Sequence, residues 1–239
     1  METIQKLADY NHPLVRETVE RLTNRETTIR SKLEKLFYYV RDEIKFGFPK
    51  NGDMVKASET IKLGMGQCNN KTTLFLALCK AIEIPARVHF SVIKKEIQRG
   101  LFVGLAYRLM PPLLSHSWIE VKMDGKWRRL DSYINDEFFY QAGKLELKKK
   151  AWDTGYSIAR SSGESSSAFN IDKEKFVQMD AVVEDQGVWD DPADYYATNN
   201  YRNRLNAIKL FFYRLMIGKI NKKVAQMRKN CEDGLCGKL

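Results

Sequence analysis

The sequence predicts an α+β fold, because segments with helical periodicity at both ends of the chain flank a central segment with strand alternation. Residues 5–24 and 26–44 favour helices, and a long helix is expected over roughly 195–229. Between them, residues 86–93 alternate as a strand should. Helices followed by strands and then by helices favour α+β over alternating βαβ units.

A β-hairpin is predicted around Asp124-Gly125, because strand-like segments lie on both sides of this dipeptide and it favours a two-residue turn. With such a turn, Trp118 faces Asp131 across the two strands. Alternation then places His116 on the same face, as the diagonal neighbour of Asp131 and within reach of a hydrogen bond to it. A three-residue turn would reverse this arrangement.

The composition is typical of a soluble globular protein, with 44% hydrophobic and 29% charged residues among 239. No segment has the ~18 consecutive apolar residues of a membrane span, and the first residues do not resemble a signal peptide. We therefore expect a cytoplasmic protein with reduced cysteines. The four cysteines and three histidines contain no CxxC pair, so no metal site is expected. Cys231 and Cys236 are expected to be two unpaired thiols on a tail.

The segment GMGQC, residues 64–68, leads into a predicted helix. It does not fit a phosphate-binding loop, because Lys71 lacks the glycine that should precede it. Cys68 would lie at the helix start, where free N–H groups and the helix dipole favour a thiolate and could stabilise an oxyanion. Gly64 and Gly66 would allow a tight turn. From this segment alone, a nucleophile and a structural cysteine remain open alternatives.

A nucleophilic cysteine needs a base, and the chain offers three histidines, His12, His89 and His116. His12 is expected at the surface, and His89 is expected to be half-buried with satisfied hydrogen bonds. His116 is favoured, because the hairpin would let Asp131 hold one ring nitrogen while the other faces a thiol. The alternative is that Asp131 merely ends a strand.

Three ordered motifs carry a family resemblance: GxGxC at a helix start, an xIPAR strand, and H-S-W-x-x-V-x-x-x-G-x-W-x-x-x-D. Together, from about Val40 to Asp131, they resemble the transglutaminase-like (transglutaminase core) superfamily, in its bacterial stand-alone form. The resemblance implies a papain-like fold whose nucleophile helix packs on an antiparallel sheet. It also implies Cys68 as nucleophile, His116 as base and Asp131 as the residue that orients the base. The corresponding single domain, 1–239, would comprise N-terminal helices (1–45), a core (46–180) and a C-terminal helical extension (181–239).

Substrate contacts are assigned around the same motifs. Gln67, Trp118 and Trp127 are candidate substrate-binding residues. Papain-type enzymes place a glutamine several residues before the cysteine as an oxyanion donor, whereas residues 61–63 here read Ile-Lys-Leu. The backbone N–H of Cys68 is therefore the one oxyanion donor that the sequence assigns.

The resemblance implies a thiol enzyme without a cofactor that acts on an amide bond, of peptide or glutamine type, in a protein or peptide substrate. An acyl-thioester intermediate would pass to water or to an amine. The alternatives are a non-catalytic binding module that keeps the fold, and an arylamine-type acyltransferase, although no segment resembles a nucleotide pocket. Residues 100–114 and 157–168 are candidate walls of the substrate path, and the oligomeric state stays open.

Residues 199–230 contain nine lysines and arginines and no acidic residue, out of a net charge of +10. An apolar stripe on the predicted helix is expected to pack on the core, and the alternative is a weak contact with an anionic surface. Nucleic acid is not expected, because no recognisable reader motif is present. The stripe comprises Leu205, Ile208, Phe212, Leu215, Met216, Ile220, Val224 and Met227.

Overall fold

The computed structural model describes residues 5–159, 165–172 and 176–236. Its helices are α1 (Pro13–Thr23), α2 (Ile29–Tyr38), α3 (Ala57–Leu63), α4 (Cys68–Ala81), α5 (Gly104–Leu109), α6 (Glu137–Lys150), α7 (Pro192–Tyr196) and α8 (Ala207–Asn230). Its strands are β1 (Lys45–Phe46), β2 (Met65–Gly66), β3 (Ala86–Lys94), β4 (Leu113–Met123), β5 (Lys126–Leu130), β6 (Thr154–Gly155), β7 (Ile158–Ala159) and β8 (Val182–Trp189). Among these described elements, no helix is long and apolar enough to cross a membrane.

The central sheet has the strand order β5-β4-β3-β8, and every neighbouring pair is antiparallel. Helix α4 packs against β3 and β4. Leu74, Phe75 and Leu78 of the helix are fully buried, as are Val88 and Phe90 of the sheet. The predicted α+β fold, with the helix that follows the glycine pair packed on an antiparallel sheet, is therefore confirmed.

The predicted hairpin forms with the expected register. Asp124 and Gly125 both have positive φ, 52° and 75°, which a two-residue turn between twisted strands requires. Met123 accordingly pairs with Lys126, and the ladder extends back along β4 and β5.

The predicted N-terminal helix begins later than expected. Its helical part is α1, whereas residues 5–12 form an irregular segment with turns. The Asp191 carboxylate accepts hydrogen bonds at 3.0 Å from the backbone N–H groups of Leu7 and Ala8, which holds this segment against α7. The helix then starts at Pro13, whose missing N–H costs nothing at a first helical position.

The predicted long C-terminal helix is wrong in one respect, because residues 197–206 interrupt it. Asp191 caps α7 and Pro192 begins it. The interruption has a tertiary cause: the Arg202 N–H donates to the Ser115 hydroxyl, and the Asn203 side chain bonds the Ser115 backbone N–H and C=O. These bonds hold the segment along the start of β4.

The apolar stripe on α8 packs only at its C-terminal part. Ile220 and Val224 are buried, together with Ile217, whereas Ile208 and Leu215 lie mostly in solvent. The expected packing of the whole stripe is therefore wrong, because the helix packs on α6 and on the loop after β1, and these contacts leave the N-terminal part of the stripe uncovered.

Cys231 and Cys236 form a disulfide, contrary to the expectation of two unpaired thiols. A π-helical turn follows α8, and Gly234 has a φ of 83° within it. This bend brings the two Cα atoms to 4.8 Å, within the range that a disulfide spans.

The two segments named as candidate walls of the substrate path contain short elements. Residues 100–114 hold α5 and the start of β4. In residues 157–168, Ile158–Ala159 pairs with β6, and residues 160–164 lie outside the described residues.

Candidate active site

Two glycines fix the corner that precedes α4. Gly64 ends α3 in the left-handed conformation, with φ 60°. Gly66 pairs with Phe46 of β1, and a Cβ atom at Gly66 would lie 2.9 Å from the Cβ of Asn70. Because that approach leaves no room for a side chain, the chain can pass directly into α4 at Cys68.

Gln67 caps α4 and holds the thiol of the next residue. Its Oε1 accepts a hydrogen bond from Cys68 Sγ at 2.8 Å and a longer one from the Asn69 N–H. The Gln67 N–H in turn donates to Asn70 Oδ1 at 3.2 Å, which completes a reciprocal cap. Cys68 is only 6% exposed. Cys79, further along α4, is fully buried and fits the structural role expected of an interior thiol.

Asp53 is the buried carboxylate next to this cap. It accepts hydrogen bonds from Gln67 Nε2, from Asn69 Nδ2 at 2.8 Å, from the Tyr201 hydroxyl at 2.9 Å and from Asn203 Nδ2 at 2.9 Å. Burial raises its pKa, while these four donors oppose the rise. Asp53 thus joins the helix cap to the segment between α7 and α8.

Sequence reasoning did not identify Asp53. The signal was weak, because the aspartate follows the turn-forming pair Asn51-Gly52 in a short loop. Two of its donors, Tyr201 and Asn203, come from the far end of the chain, and local patterns do not reveal such contacts.

The electrostatics of Cys68 differ from the expectation for a helix start. Burial raises the pKa of its thiol, and the negative charge of Asp53 adds to that rise. The backbone N–H groups of Asn69 and Ser117 act in the opposite direction but do not compensate. At neutral pH the resting side chain is therefore a thiol that donates to Gln67, because desolvation outweighs the helix dipole.

His116 lies in the middle of the sheet, on β4, opposite Ser91 of β3. The Ser117 hydroxyl donates to Asn69 of α4 at 2.9 Å. Because side chains alternate along a strand and the β3–β4 register is unbroken, His116 projects from the opposite face. The ring is fully buried and neither nitrogen has a hydrogen-bond partner among the described residues. Burial lowers the pKa of His116 to about 3, so the imidazole is neutral.

Asp131 follows the last residue of β5 and is fully buried. Its carboxylate accepts hydrogen bonds from the backbone N–H groups of Val177, Gln178 and Met179, at 2.7, 2.8 and 3.1 Å. Burial raises the pKa of Asp131 to about 7, against the effect of these bonds. The contacts fix the segment that leads into β8.

Cys68, His116 and Asp131 are not joined to one another by a hydrogen bond in the part of the chain that the structure describes. Cys68 bonds Gln67, Asp131 bonds the backbone at 177–179, and the His116 nitrogens have no partner. The assignment of the three as a catalytic triad therefore stays a prediction.

The comparisons with known proteins bear on the same segment. The sequence model of the transglutaminase-like superfamily matches residues 16–132, which include all three side chains. Residues 16–132 belong to the transglutaminase-like superfamily.

Two solved structures are similar to the chain at low identity. A candidate cysteine protease from Cytophaga hutchinsonii has 14% identity and a TM-score of 0.47, over 80% of this chain and 46% of that one. A candidate protease from Parabacteroides distasonis has 16% identity and a TM-score of 0.35, over 52% of this chain and 25% of that one. The chain thus spans less than half the length of either structure. No curated protein gives a significant sequence match.

The two tryptophans of the transglutaminase-like motif have different surroundings. Trp118 is buried and stacks on His89, with ring centroids 4.3 Å apart. His89 bonds Glu120 and Asp185, which makes it the satisfied, half-buried histidine that the sequence predicts. Trp127 is partly exposed and lies under the guanidinium of Arg87. Neither contact tests the predicted role of the tryptophans in substrate binding.

A cavity of about 460 Å³ lies beside Asp53, which separates it from Gln67 and Cys68 of the transglutaminase-like segment. It is lined by the loop before α3 and by the chain between α7 and α8, rather than by residues 100–114. The lining residues are Asn51, Asp53, Met54, Tyr196, Tyr201, Asn203, Arg204, Leu205 and Leu210. Among the described residues, no group of three or more His, Cys, Asp or Glu side chains is placed to hold a metal.

Proposed function

We propose that the chain is a thiol enzyme in which Cys68 attacks an amide carbonyl of a peptide or glutamine side chain. The observation that carries this proposal is the position of Cys68 as the first residue of α4, where Gln67 accepts a hydrogen bond from its thiol. Both residues lie within 16–132, the segment that matches the superfamily. A reactive sulfur at a helix start lies next to backbone N–H groups that can stabilise an oxyanion.

The proposed reaction has two steps. The Cys68 sulfur bonds to the carbonyl carbon while its proton passes to His116, and the C–N bond then breaks as the amine leaves with that proton. The resulting acyl-thioester is attacked by water or by a second amine, which gives up a proton and releases the acyl group and the Cys68 thiol. Asp131 would orient the imidazole, as the family resemblance implies.

This chemistry requires a contact between Cys68 and His116 that is not present among the described hydrogen bonds. Neutral His116 has two unpartnered ring nitrogens, but it projects from the sheet face opposite α4, so β4 must also shift before the imidazole can accept the Cys68 proton. The Cys68 thiol must leave Gln67 Oε1 for this to happen. Substrate binding beside Asp53 is the event that we assign to this exchange, because Asp53 lines the cavity and also bonds the Gln67 side chain.

A second candidate function is a binding module that keeps the fold without turnover. Two observations favour it: the pKa of Cys68 is raised, and the thiol is almost completely buried. A module of this kind would still bind a peptide in the cavity beside Asp53.

Acyl-enzyme trapping separates the two functions. The protein is incubated with a peptide library and a biotinylated primary amine, quenched in acid, digested and mapped by mass spectrometry. We expect an acyl adduct on Cys68 and none on Cys79, whose burial provides an internal control. His116→Gln should lower the rate of adduct formation about 100-fold or more, as loss of a general base does.

Two results would contradict the enzyme. Retention of peptides by Cys68→Ser, with no adduct or amine incorporation in the original protein, would show a binding module. An adduct rate unchanged in His116→Gln would remove His116 from the reaction.

A further inference from the structure

The N-terminal half of α8 presents four large apolar side chains to solvent. Ile208, Phe211, Phe212 and Leu215 are 70%, 60%, 56% and 61% exposed. They lie on one side of the helix, over its first two turns, and are called here the α8 apolar cluster. Isolated exposed apolar residues are common, but four adjoining ones mark a contact surface.

The opposite side of α8 is fixed to the rest of the protein. Ile217, on that side, is buried, and the Tyr213 hydroxyl donates to the Pro49 carbonyl at 2.9 Å. Asn221 Nδ2 donates to the Phe48 carbonyl at 2.9 Å. The helix cannot rotate to bury the α8 apolar cluster without breaking these contacts, so the cluster faces outward in the folded protein.

Basic side chains surround the α8 apolar cluster. Lys219 and Lys222 continue the same side of the helix through the next two turns, and Lys209 lies beside the cluster; all three are exposed. None of them forms an ion pair with a described residue. Residues 199–230 contain no acidic side chain, so positive charge adjoins the cluster without compensation from its own helix.

From this combination we infer that α8 docks the protein on the surface of an anionic lipid bilayer. The α8 apolar cluster enters the boundary between headgroups and acyl chains, and Lys209, Lys219 and Lys222 contact the anionic headgroups. A helix with an apolar surface flanked by lysines binds in the plane of such an interface. Each lysine close to the surface strengthens binding through the negative surface potential. The contact is peripheral and independent of the chemistry proposed for Cys68.

Charge complementarity favours a bilayer over two other occupants. A second copy of this chain would place two lysine-bearing helices against each other in a symmetric contact, which repels. Single-stranded nucleic acid would stack on Phe211 and Phe212, but Ile208 and Leu215 offer no ring for stacking. All four side chains of the cluster suit a hydrocarbon boundary.

Vesicle pelleting tests the inference. The full chain is mixed with vesicles of phosphatidylcholine alone or of phosphatidylcholine with phosphatidylglycerol, at low and at physiological ionic strength. We expect binding to the anionic vesicles, weakened by salt. Phe211→Ser with Phe212→Ser should lower partitioning about tenfold or more, since two apolar side chains lose their burial. Lys219→Glu with Lys222→Glu should lower it by a similar factor.

Matched controls alter exposed residues elsewhere. Ile29→Ser removes an exposed apolar side chain from α2, and Lys122→Glu with Lys126→Glu makes the same change of charge on the β4–β5 hairpin. These variants should bind as the original protein does, and circular dichroism verifies that all variants fold. The apolar double variant and the charged double variant are independent tests. If one of them does not fold, the other still tests the inference.

Several outcomes would overturn the inference. The first is that the original protein does not bind anionic vesicles. The second is that the α8 variants and the control variants lose vesicle binding equally. The third is that the original protein is a dimer in solution and the α8 variants are monomers. Tight binding of a single-stranded oligonucleotide that is lost in the same α8 variants, with vesicle binding unchanged, would assign the surface to nucleic acid.

Discussion

The Asp53 carboxylate accepts a hydrogen bond from the Asn203 amide at 2.9 Å, across 150 residues of sequence. The same carboxylate bonds Gln67 and Asn69, which flank Cys68. The local surroundings of the candidate nucleophile therefore depend on a segment far from it in the chain.

Asp53→Asn should destabilise the fold by about 2–4 kcal/mol, because an amide group cannot accept from all four buried donors and brings two donors of its own. The measurement is the midpoint of urea unfolding. Asp153→Asn, at an exposed position, is the matched control and should leave the midpoint unchanged. Equal midpoints for the two variants would show that Asp53 does not hold this network.

Arg228→Met should cost about 3 kcal/mol, since it leaves the buried Asp136 carboxylate without the guanidinium that bonds both its oxygens at 2.8 and 2.7 Å. Burial alone would raise the pKa of Asp136, but the bonds to Arg228 lower it overall. A lowered pKa contributes stability above the unfolded value of about 4, and that contribution is lost as the pH falls through the folded value.

The difference between the original protein and Arg228→Met should therefore shrink in acid, as urea midpoints measured over a pH series would show. Arg30→Met is the control, because the Arg30–Asp172 pair lies at the surface. A loss for Arg30→Met as large as that for Arg228→Met would contradict the special role of the buried pair.

His116 should make the fold sensitive to mild acid. Its folded pKa of about 3 lies below the unfolded value of about 6.5, so the unfolded chain binds the proton first. Stability should therefore fall as the pH decreases from about 6.5 towards 3, with about 2 kcal/mol lost by about pH 5. His116→Leu should remove this part of the pH dependence in urea unfolding.

His12→Asn serves as the histidine control, because His12 caps α1 with its ring nitrogen and asparagine can cap in the same way. An unchanged acid profile in His116→Leu would mean that the ring is protonated in the folded protein.

Gly66→Ala should destabilise the corner before Cys68 by about 1–3 kcal/mol, because the added Cβ would meet the Asn70 Cβ at 2.9 Å. Gly218→Ala, in α8, meets no atom within 4 Å and should stabilise the protein by about 1 kcal/mol through its higher helix propensity. Thermal unfolding of both variants measures the contrast. Similar shifts of the two melting temperatures would show that the corner accommodates a side chain.

The elements predicted successfully are those that local sequence determines. Helix α4 has a continuous apolar face, and the turn at Asp124-Gly125 suits the two left-handed residues found there. Strand β8 was not predicted, because it lies at the edge of the sheet and reads VVEDQGVW, with polar residues and a glycine in its middle. The break before α8 depends on bonds to Ser115, which periodicity does not show.

The same division applies to the candidate site. The helix start at Cys68 and the glycine corner before it could be predicted from adjacent residues. The family resemblance also rests on short local motifs. The pKa values could not be predicted, because the burial of Cys68 and His116 depends on chain segments packed from elsewhere. The contact of Gln67 with Asp53 joins residues 14 positions apart and forms only when the chain folds, so local patterns do not predict it.

The buried carboxylates set a limit on how the chain can be divided. A fragment cut after residue 132 would keep the whole family segment but would lose Tyr201 and Asn203 from Asp53, and the backbone donors at 177–179 from Asp131. Asp53 would then keep two of its four donors and Asp131 none of its three, which leaves both desolvated carboxylates short of partners. We therefore expect that residues 16–132 do not fold as an autonomous unit, because later residues complete their interior.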